Sequence, residues 1–143
     1  MQQQIFGCVE GAQTLYLATH ATIGKPVIYL SRNDLELKQV SQGLSLFAPD
    51  IEVVCLPAWD CLPYDRLSPH GDITGERIST LSKLASTEIL NTKNVILLTI
   101  NSFLQKIPPK SFFLNASLKL SKGADYNLNE IASFLQDCGF NRT

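Results

Sequence analysis

Apolar positions along the chain follow two spacings. Val27-Ile28-Tyr29-Leu30, Ile51–Leu56 and Val95–Thr99 are short continuous runs, rich in β-branched residues. They predict strands buried on both faces of a parallel sheet. Between them, apolar residues recur at three- and four-residue steps. Ala12, Leu15, Leu17, Ala18 and Ala21 predict a helix from Gly11 to about Ile23, with Gly24 and Pro26 stopping it. Leu35, Leu37, Val40, Leu44 and Phe47 predict a second helix, capped by Ser31 or Asn33 and ended at Pro49-Asp50. Ile78, Leu81, Leu84, Ala85 and Ile89 predict a third, starting near Asp72 or Thr74 and stopping around Asn91-Thr92. Ser102–Gln105 reads as a single helical turn before Pro108-Pro109.

Strand alternating with helix predicts an α/β fold, a parallel sheet with helices on both faces joined by right-handed crossovers. Ligands of such sheets sit outside the carboxyl ends of the strands. The pattern changes after Pro109. Phe112–Leu114 leads into a weakly alternating stretch, Ala116–Leu120, then a turn at Gly123 and a last helix through Ile131 and Leu135, capped by Asn127 or Asn129 and ended at Gly139. The expected division is an α/β domain over 1–114 and the start of a truncated α+β domain over 115–143.

The second strand runs into Leu56–Arg77, the most unusual stretch of the chain. It holds the only tryptophan, Trp59, three of the seven prolines (Pro57, Pro63, Pro69) and one of the two histidines, His70. Repeated prolines forbid a continuous helix or strand, and its aromatic content is too high for a solvated linker. The expectation is an ordered loop that packs Trp59 and Leu62 down and presents Asp60, Asp65, Arg66 and Asp72. Such loops often carry function. Asp60, Asp65, His70 and Asp72 are candidates for a general base or a metal site, but their spacing fits no metal motif and no nucleophile sits in an elbow context. The simpler reading has Asp72 or Thr74 capping the helix, Arg66 and Arg77 pairing with loop carboxylates, and Trp59 anchoring the core.

Composition narrows the classes. The chain has 143 residues, 45% of them hydrophobic and 17% charged, with a formal net charge of −1. That is a globular composition, and it disfavours a direct nucleic-acid binder. No apolar run approaches the ~20 residues of a membrane helix, and the N-terminus lacks a secretory signal. The four cysteines, Cys8, Cys55, Cys61 and Cys138, form no Cys-x-x-Cys pair. They read as reduced thiols of a cytoplasmic protein.

Ahead of the first helix, Gly7-Cys-Val-Glu-Gly-Ala-Gln-Thr14 can be laid on the phosphate-binding pattern Gly-x-x-x-x-Gly-Lys-[Ser/Thr]. Gly7 takes the first glycine, Ala12 the second, Gln13 the lysine and Thr14 the hydroxyl. The missing lysine removes a charge whose Coulomb contribution is several kcal/mol at an effective dielectric of about 20, and Glu10 adds a charge of the wrong sign. The spacing leaves two readings open, a decayed P-loop or an ordinary start to a helix. A decayed P-loop of this kind predicts no useful nucleotide affinity.

Leu56-Pro-Ala-Trp-Asp-Cys-Leu-Pro-Tyr-Asp-Arg-Leu-Ser-Pro-His-Gly-Asp-Ile-Thr-Gly-Glu-Arg-Ile-Ser-Thr-Leu, Asn101-Ser-Phe-Leu-Gln-Lys-Ile-Pro-Pro and Leu118-Lys-Leu-Ser-Lys-Gly resemble the N-terminal region of the bacterial transcription-repair coupling factors. The resemblance implies a module similar to the damage-verification protein UvrB: a degenerate helicase-like nucleotide-binding domain, then an inserted domain that recruits the repair protein UvrA. It favours the decayed P-loop, with Ala12 and Gln13 in place of glycine and lysine. The full-length proteins of this family are ATP-dependent DNA translocases that displace stalled RNA polymerase, and their ATP and magnesium belong to a motor further along. For this chain the resemblance implies no catalytic residues and no cofactor. Weak or absent UvrA binding is expected, and the segment Trp59–Arg77 is too short for a DNA-clamping hairpin. The implied role is interdomain contact, through Trp59, Asp60, Tyr64, Asp65, Arg66, His70, Asp72 and Arg77. The alternative is an active nucleotide-binding domain of a P-loop NTPase.

Overall fold

The structure is a computed structural model that describes residues 5–9, 11–61, 66, 68–86, 88–115, 118 and 120–137. Helix α1 (Ala12–His20) precedes strand β1 (Val27–Ser31). Helix α2 (Asp34–Phe47), strand β2 (Glu52–Leu56), helix α3 (Gly71–Ala85) and strand β3 (Asn94–Thr99) follow. Short helices α4 (Ile100–Leu104) and α5 (Lys110–Asn115) and then α6 (Leu128–Asp137) complete the described order.

The strands form a parallel sheet in the order β1-β3-β2, with Val95 of β3 level with Val27 on one side and Val53 on the other. Every residue of β3 is buried, which is why its sequence is continuously apolar rather than alternating. The period-2 pleat sends Val95 and Leu97 into one core and Ile96 and Leu98 into the other. The first core is closed by Leu17 and Ala21 of α1 and Val40 and Leu44 of α2; the second by Leu81 and Ala85 of α3, with Ile89 and with Phe113 of α5. Each large side chain so buried contributes about 1.5–3 kcal/mol.

The two faces follow from handedness. Helix α2 carries the chain from β1 past β3 to β2, and α3 brings it back to β3. The two crossovers run in opposite directions across the sheet. Sharing one hand therefore requires their helices on opposite faces, as found.

Several local expectations are corrected. Helix α3 stops at Ala85, not near Asn91, because the Ser86 hydroxyl donates to the Lys83 carbonyl at 2.8 Å and competes with the next helical turn. Ile89 reaches the core from a separate 3-10 turn, Glu88–Asn91. Ile78, Leu15, Leu35 and Phe47 fit the helical period but are exposed. The buried stripe of α1 instead includes the polar Thr14 in step with Leu17 and Ala21. Residues 110–115 form α5, with Phe113 seated in the second core. Leu118 and Leu120 lie in no strand, and the rest of the expected strand at 116–120 falls outside the described residues. Gly139 and Cys138 also lie outside them. Asn33 caps α2, accepting from the Glu36 N–H at 2.9 Å, and Asn127 accepts from the Asn129 N–H at 3.0 Å at the start of α6. No helix among the described residues is long and apolar enough to cross a membrane.

Candidate functional site

The carboxyl ends of β2 and β3 meet at Arg77. This residue is 1% exposed, although the sequence reading placed it in an exposed contact loop paired with carboxylates. Its Nη1 donates to the Pro57 carbonyl and to Ser102 Oγ (3.4 Å), and its guanidinium lies 4.5 Å from the centre of the Trp59 ring. Among the described residues no carboxylate pairs with it, and its Nε has no partner. Burial pushes its pKa below the ordinary arginine value. A guanidinium suits such a place because it is weakly hydrated, planar and able to stack on an aromatic face while its edge donates.

The partners of Arg77 are held by their own elements. Thr99 at the end of β3 caps α4 by accepting from the Ser102 N–H at 3.2 Å. That fixes Ser102, whose hydroxyl donates to the Pro57 carbonyl at 3.3 Å. Gln105 accepts from the Trp59 N–H at 3.0 Å. Sequence reasoning singled out neither Ser102 nor Gln105 as a partner of the loop. A serine and a glutamine in a short helix carry no pattern, and only the fold brings them under the loop.

The loop after Trp59 is closed at its base. Asp60 accepts from the His70 N–H at 3.3 and 3.4 Å. His70, not Asp72 or Thr74, is the N-cap of α3, its Nδ1 accepting from the Asp72 N–H at 3.4 Å. Asp72 remains almost fully exposed, 3.5 Å from the same imidazole. Arg66 is exposed. Leu62, Tyr64 and Asp65 lie outside the described residues. Among the described residues no group of three or more His, Cys, Asp or Glu side chains could hold a metal.

The P-loop-like segment occupies a second site, at the start of α1. Gly7 and Gly11 both adopt left-handed backbone (φ 69° and 90°), and Gly11 is the N-cap of α1 with no side-chain cap bond. Glycine tolerates that conformation because it has no Cβ. Beside them opens a cleft of about 670 Å³ between α1 and α2.

Gln13, at the lysine position, lies on its wall. Its side-chain amide is 3.0 Å from the Tyr29 hydroxyl, which also lies 2.7 Å from Glu36 Oε1. A phenol has one hydrogen. It goes to the carboxylate, the shorter and charge-assisted contact, and the Gln13 amide turns its NH2 toward the phenol oxygen. Glu36 also accepts from the Arg32 backbone N–H at 3.2 Å. The Tyr29 bond first, and the Arg32 contacts after it, hold the Glu36 carboxyl below its ordinary pKa. Burial and Glu36 together push Tyr29 up to about 12. The ionised Glu36 is thus joined to Gln13 through the Tyr29 hydroxyl. Thr14, at the hydroxyl position, is 2% exposed and packed on Gly43, where an added Cβ would come within 2.7 Å of Thr14 Oγ1. Glu10 lies outside the described residues.

Sequence comparison finds relatives of this chain. No family model matches the chain. A transcription-repair-coupling factor of Rickettsia bellii is 33% identical over 116 residues, 80% of this chain and 10% of that protein. That of Escherichia coli is 28% identical over 141 residues, 97% of this chain and 12% of that protein. The chain is related to the N-terminal region of the transcription-repair-coupling factors. It spans about a tenth of the length of the curated relatives it matches. The match extends to the Mycobacterium tuberculosis factor, 28% identical over 93 residues, 63% of this chain.

Proposed function

We propose that this chain serves as a non-catalytic contact module of a transcription-repair coupling factor. In the complete protein it would sit beside an ATP-driven DNA translocase that acts on stalled RNA polymerase and recruits UvrA for excision repair. Residues 115–143 would open the UvrA-recruiting domain, and this chain alone would bind UvrA weakly or not at all. ATP and magnesium would belong to the distant motor, and the chain itself would need neither.

The observation that carries the reading is the state of the P-loop-like segment. The lysine position is Gln13, a glutamate stands beside it, and the hydroxyl residue is packed under α2. Polyphosphate would meet the Glu36 carboxylate with no lysine at Gln13, and the cation of the cleft, Arg32, is already paired with that carboxylate. The loop after β2, by contrast, is anchored at Trp59 and closed at Asp60–His70. Its polar residues Asp60, Arg66, His70 and Asp72 are exposed, as an interdomain contact requires.

Two measurements test this. Titration of the chain with labelled ATP and magnesium should give no binding below the millimolar range. The competing reading, an active P-loop nucleotide-binding domain, requires micromolar affinity that is lost on Thr14→Ala. In the full-length protein, reversing Arg66 (Arg66→Glu) or Asp65 (Asp65→Lys) should change the basal ATPase rate. Unchanged rates in both variants would count against the contact role.

A further inference from the structure

Strand β2 is an edge of the sheet, since the order is β1-β3-β2. The Glu52 N–H donates to the Lys93 carbonyl at 2.9 Å, and the bonding side of a parallel ladder alternates along each strand. Glu52, Val54 and Leu56 therefore turn their backbone groups toward β3, and Val53 and Cys55 turn theirs outward. The Thr80 hydroxyl of α3 confirms the direction, because it donates to the Cys55 carbonyl at 2.9 Å. That bond covers one outward group. Among the described residues, the Val53 N–H, the Val53 carbonyl and the Cys55 N–H have no such cover. Uncovered groups on an edge strand are a template for another strand.

This edge lies in a recess. A cleft of about 430 Å³ follows Val53 and Cys55, walled by Ser41 and Ser45 of α2 and by Glu76, Ser79 and Lys83 of α3. The walls come from helices on opposite faces of the sheet, so a single extended chain can enter where the helix-flanked edge of a second copy would collide. Charge narrows the occupant. Lys83 is paired with Glu52 at the start of β2. Glu76, toward the other end, is exposed and forms no ion pair among the described residues. Its charge reaches the strand: burial, reinforced by Glu76 and opposed by a hydrogen bond to Ser41, pushes the Cys55 thiol up.

We infer that the β2 edge receives an extended segment of a partner polypeptide, paired backbone to backbone at Val53 and Cys55, with a basic side chain of the segment meeting Glu76. Main-chain bonds supply the affinity in this mode of recognition, and the flanking side chains supply the selectivity. Thr80 limits the length of the added strand by occupying the next acceptor. The inference extends the contact role proposed above to a second surface.

The test is an amide-resolved NMR titration of the 143-residue chain with the capped peptide acetyl-Arg-Thr-Val-Thr-Arg-amide. A Glu-Thr-Val-Thr-Glu analogue and a set of singly N-methylated peptides serve as separate arms. The expected result is a set of shifts centred on Val53 and Cys55, with slowed hydrogen exchange at both amides. N-methylation at the positions facing β2 should abolish binding and at the alternate positions should spare it, because only alternate N–H groups of an added strand point at its neighbour. Val53→Pro removes an outward donor without touching the ladder and should weaken binding severalfold. Thr80→Val uncovers the Cys55 carbonyl and should tighten it severalfold, a gain that a misfolded variant could not produce. Glu76→Gln should remove the preference for the arginine peptide. No shifts at Val53 and Cys55, losses indifferent to the methylated position, or equal binding of the glutamate analogue overturns the inference. So does a dimer of the peptide-free chain that Val53→Pro dissociates, which would make the occupant a second copy. The basal ATPase test of the loop does not involve this edge, so the two readings fail separately.

Discussion

The Arg77 guanidinium lies 4.5 Å above the Trp59 ring, and the same arginine donates to the Pro57 carbonyl. One side chain from α3 therefore grips two residues of the loop that leaves β2. It fixes where the loop begins before the loop reaches its exposed charges.

Replacing Arg77 should loosen that grip. Arg77→Ala removes a cation–π contact, a hydrogen bond to the part-buried Pro57 carbonyl and packing volume. A loss of about 2–4 kcal/mol in denaturant stability is expected, with Trp59 fluorescence shifting to the red. Arg77→Lys keeps the charge but not the planar fork, and should recover only part of it. An unchanged midpoint with unchanged Trp59 emission would show that the loop is held elsewhere.

The Thr14–Gly43 contact sets the approach of α1 to α2. Gly43→Ala places a Cβ within 2.7 Å of Thr14 Oγ1, and overpacking of this kind costs about 1–3 kcal/mol. In a Thr14→Ala background the nearest contact falls back to the Cβ of residue 14 at 3.3 Å, so most of the cost should vanish and alanine's helix propensity should make the same substitution neutral or stabilising by up to about 1 kcal/mol. A double-mutant cycle by thermal or urea denaturation reads the sign change. Additive effects would place Gly43 away from Thr14.

A lysine placed at Gln13 should not create a nucleotide site. Gln13→Lys puts the ammonium beside Glu36, where it pairs with the carboxylate instead of phosphate. Calorimetry with magnesium-ATP should stay silent for Gln13→Lys alone. Micromolar binding in that single variant would mean that Glu36 and the packing of Thr14 are not obstacles.

The Tyr29–Glu36 pair makes stability depend on pH at both extremes. Tyr29 is raised to about 12 from 10.0, so the folded state favours the neutral phenol. This contribution is complete below pH 10 and is lost as pH rises toward 12. Glu36 is lowered from 4.5, so its contribution is complete above that value and is lost as pH falls through the folded pKa. Tyr29→Phe should flatten both limbs of a stability–pH profile. If either limb is as steep as in the parent, that limb belongs to other groups.

The order of elements was legible in the sequence because each strand is a run of buried residues and each helix repeats at its own period. The three β-branched runs became β1, β2 and β3, and the proline-rich stretch became an irregular segment between β2 and α3. The failures have local causes. Ile78 and Leu15 obey the helical period but face solvent, since periodicity locates a face without saying how wide it is. Thr14 was missed as a buried residue because its chemistry reads as polar, and its burial depends on Gly43 arriving from another helix.

By itself, then, the sequence determined the class of fold, the position of the loop and a glutamine, Gln13, at the place where a phosphate-binding pattern would need lysine. Those depend on residue type and near-neighbour spacing. The tertiary structure decided the strand order, the burial of Arg77 and the presence of Glu36 beside Gln13. Arg77 meets Pro57 and Ser102 across 20 and 25 residues of chain. Glu36 meets Gln13 only through Tyr29, which comes from β1. Contacts of that kind follow from which faces of the sheet the helices cover, and no local pattern encodes them.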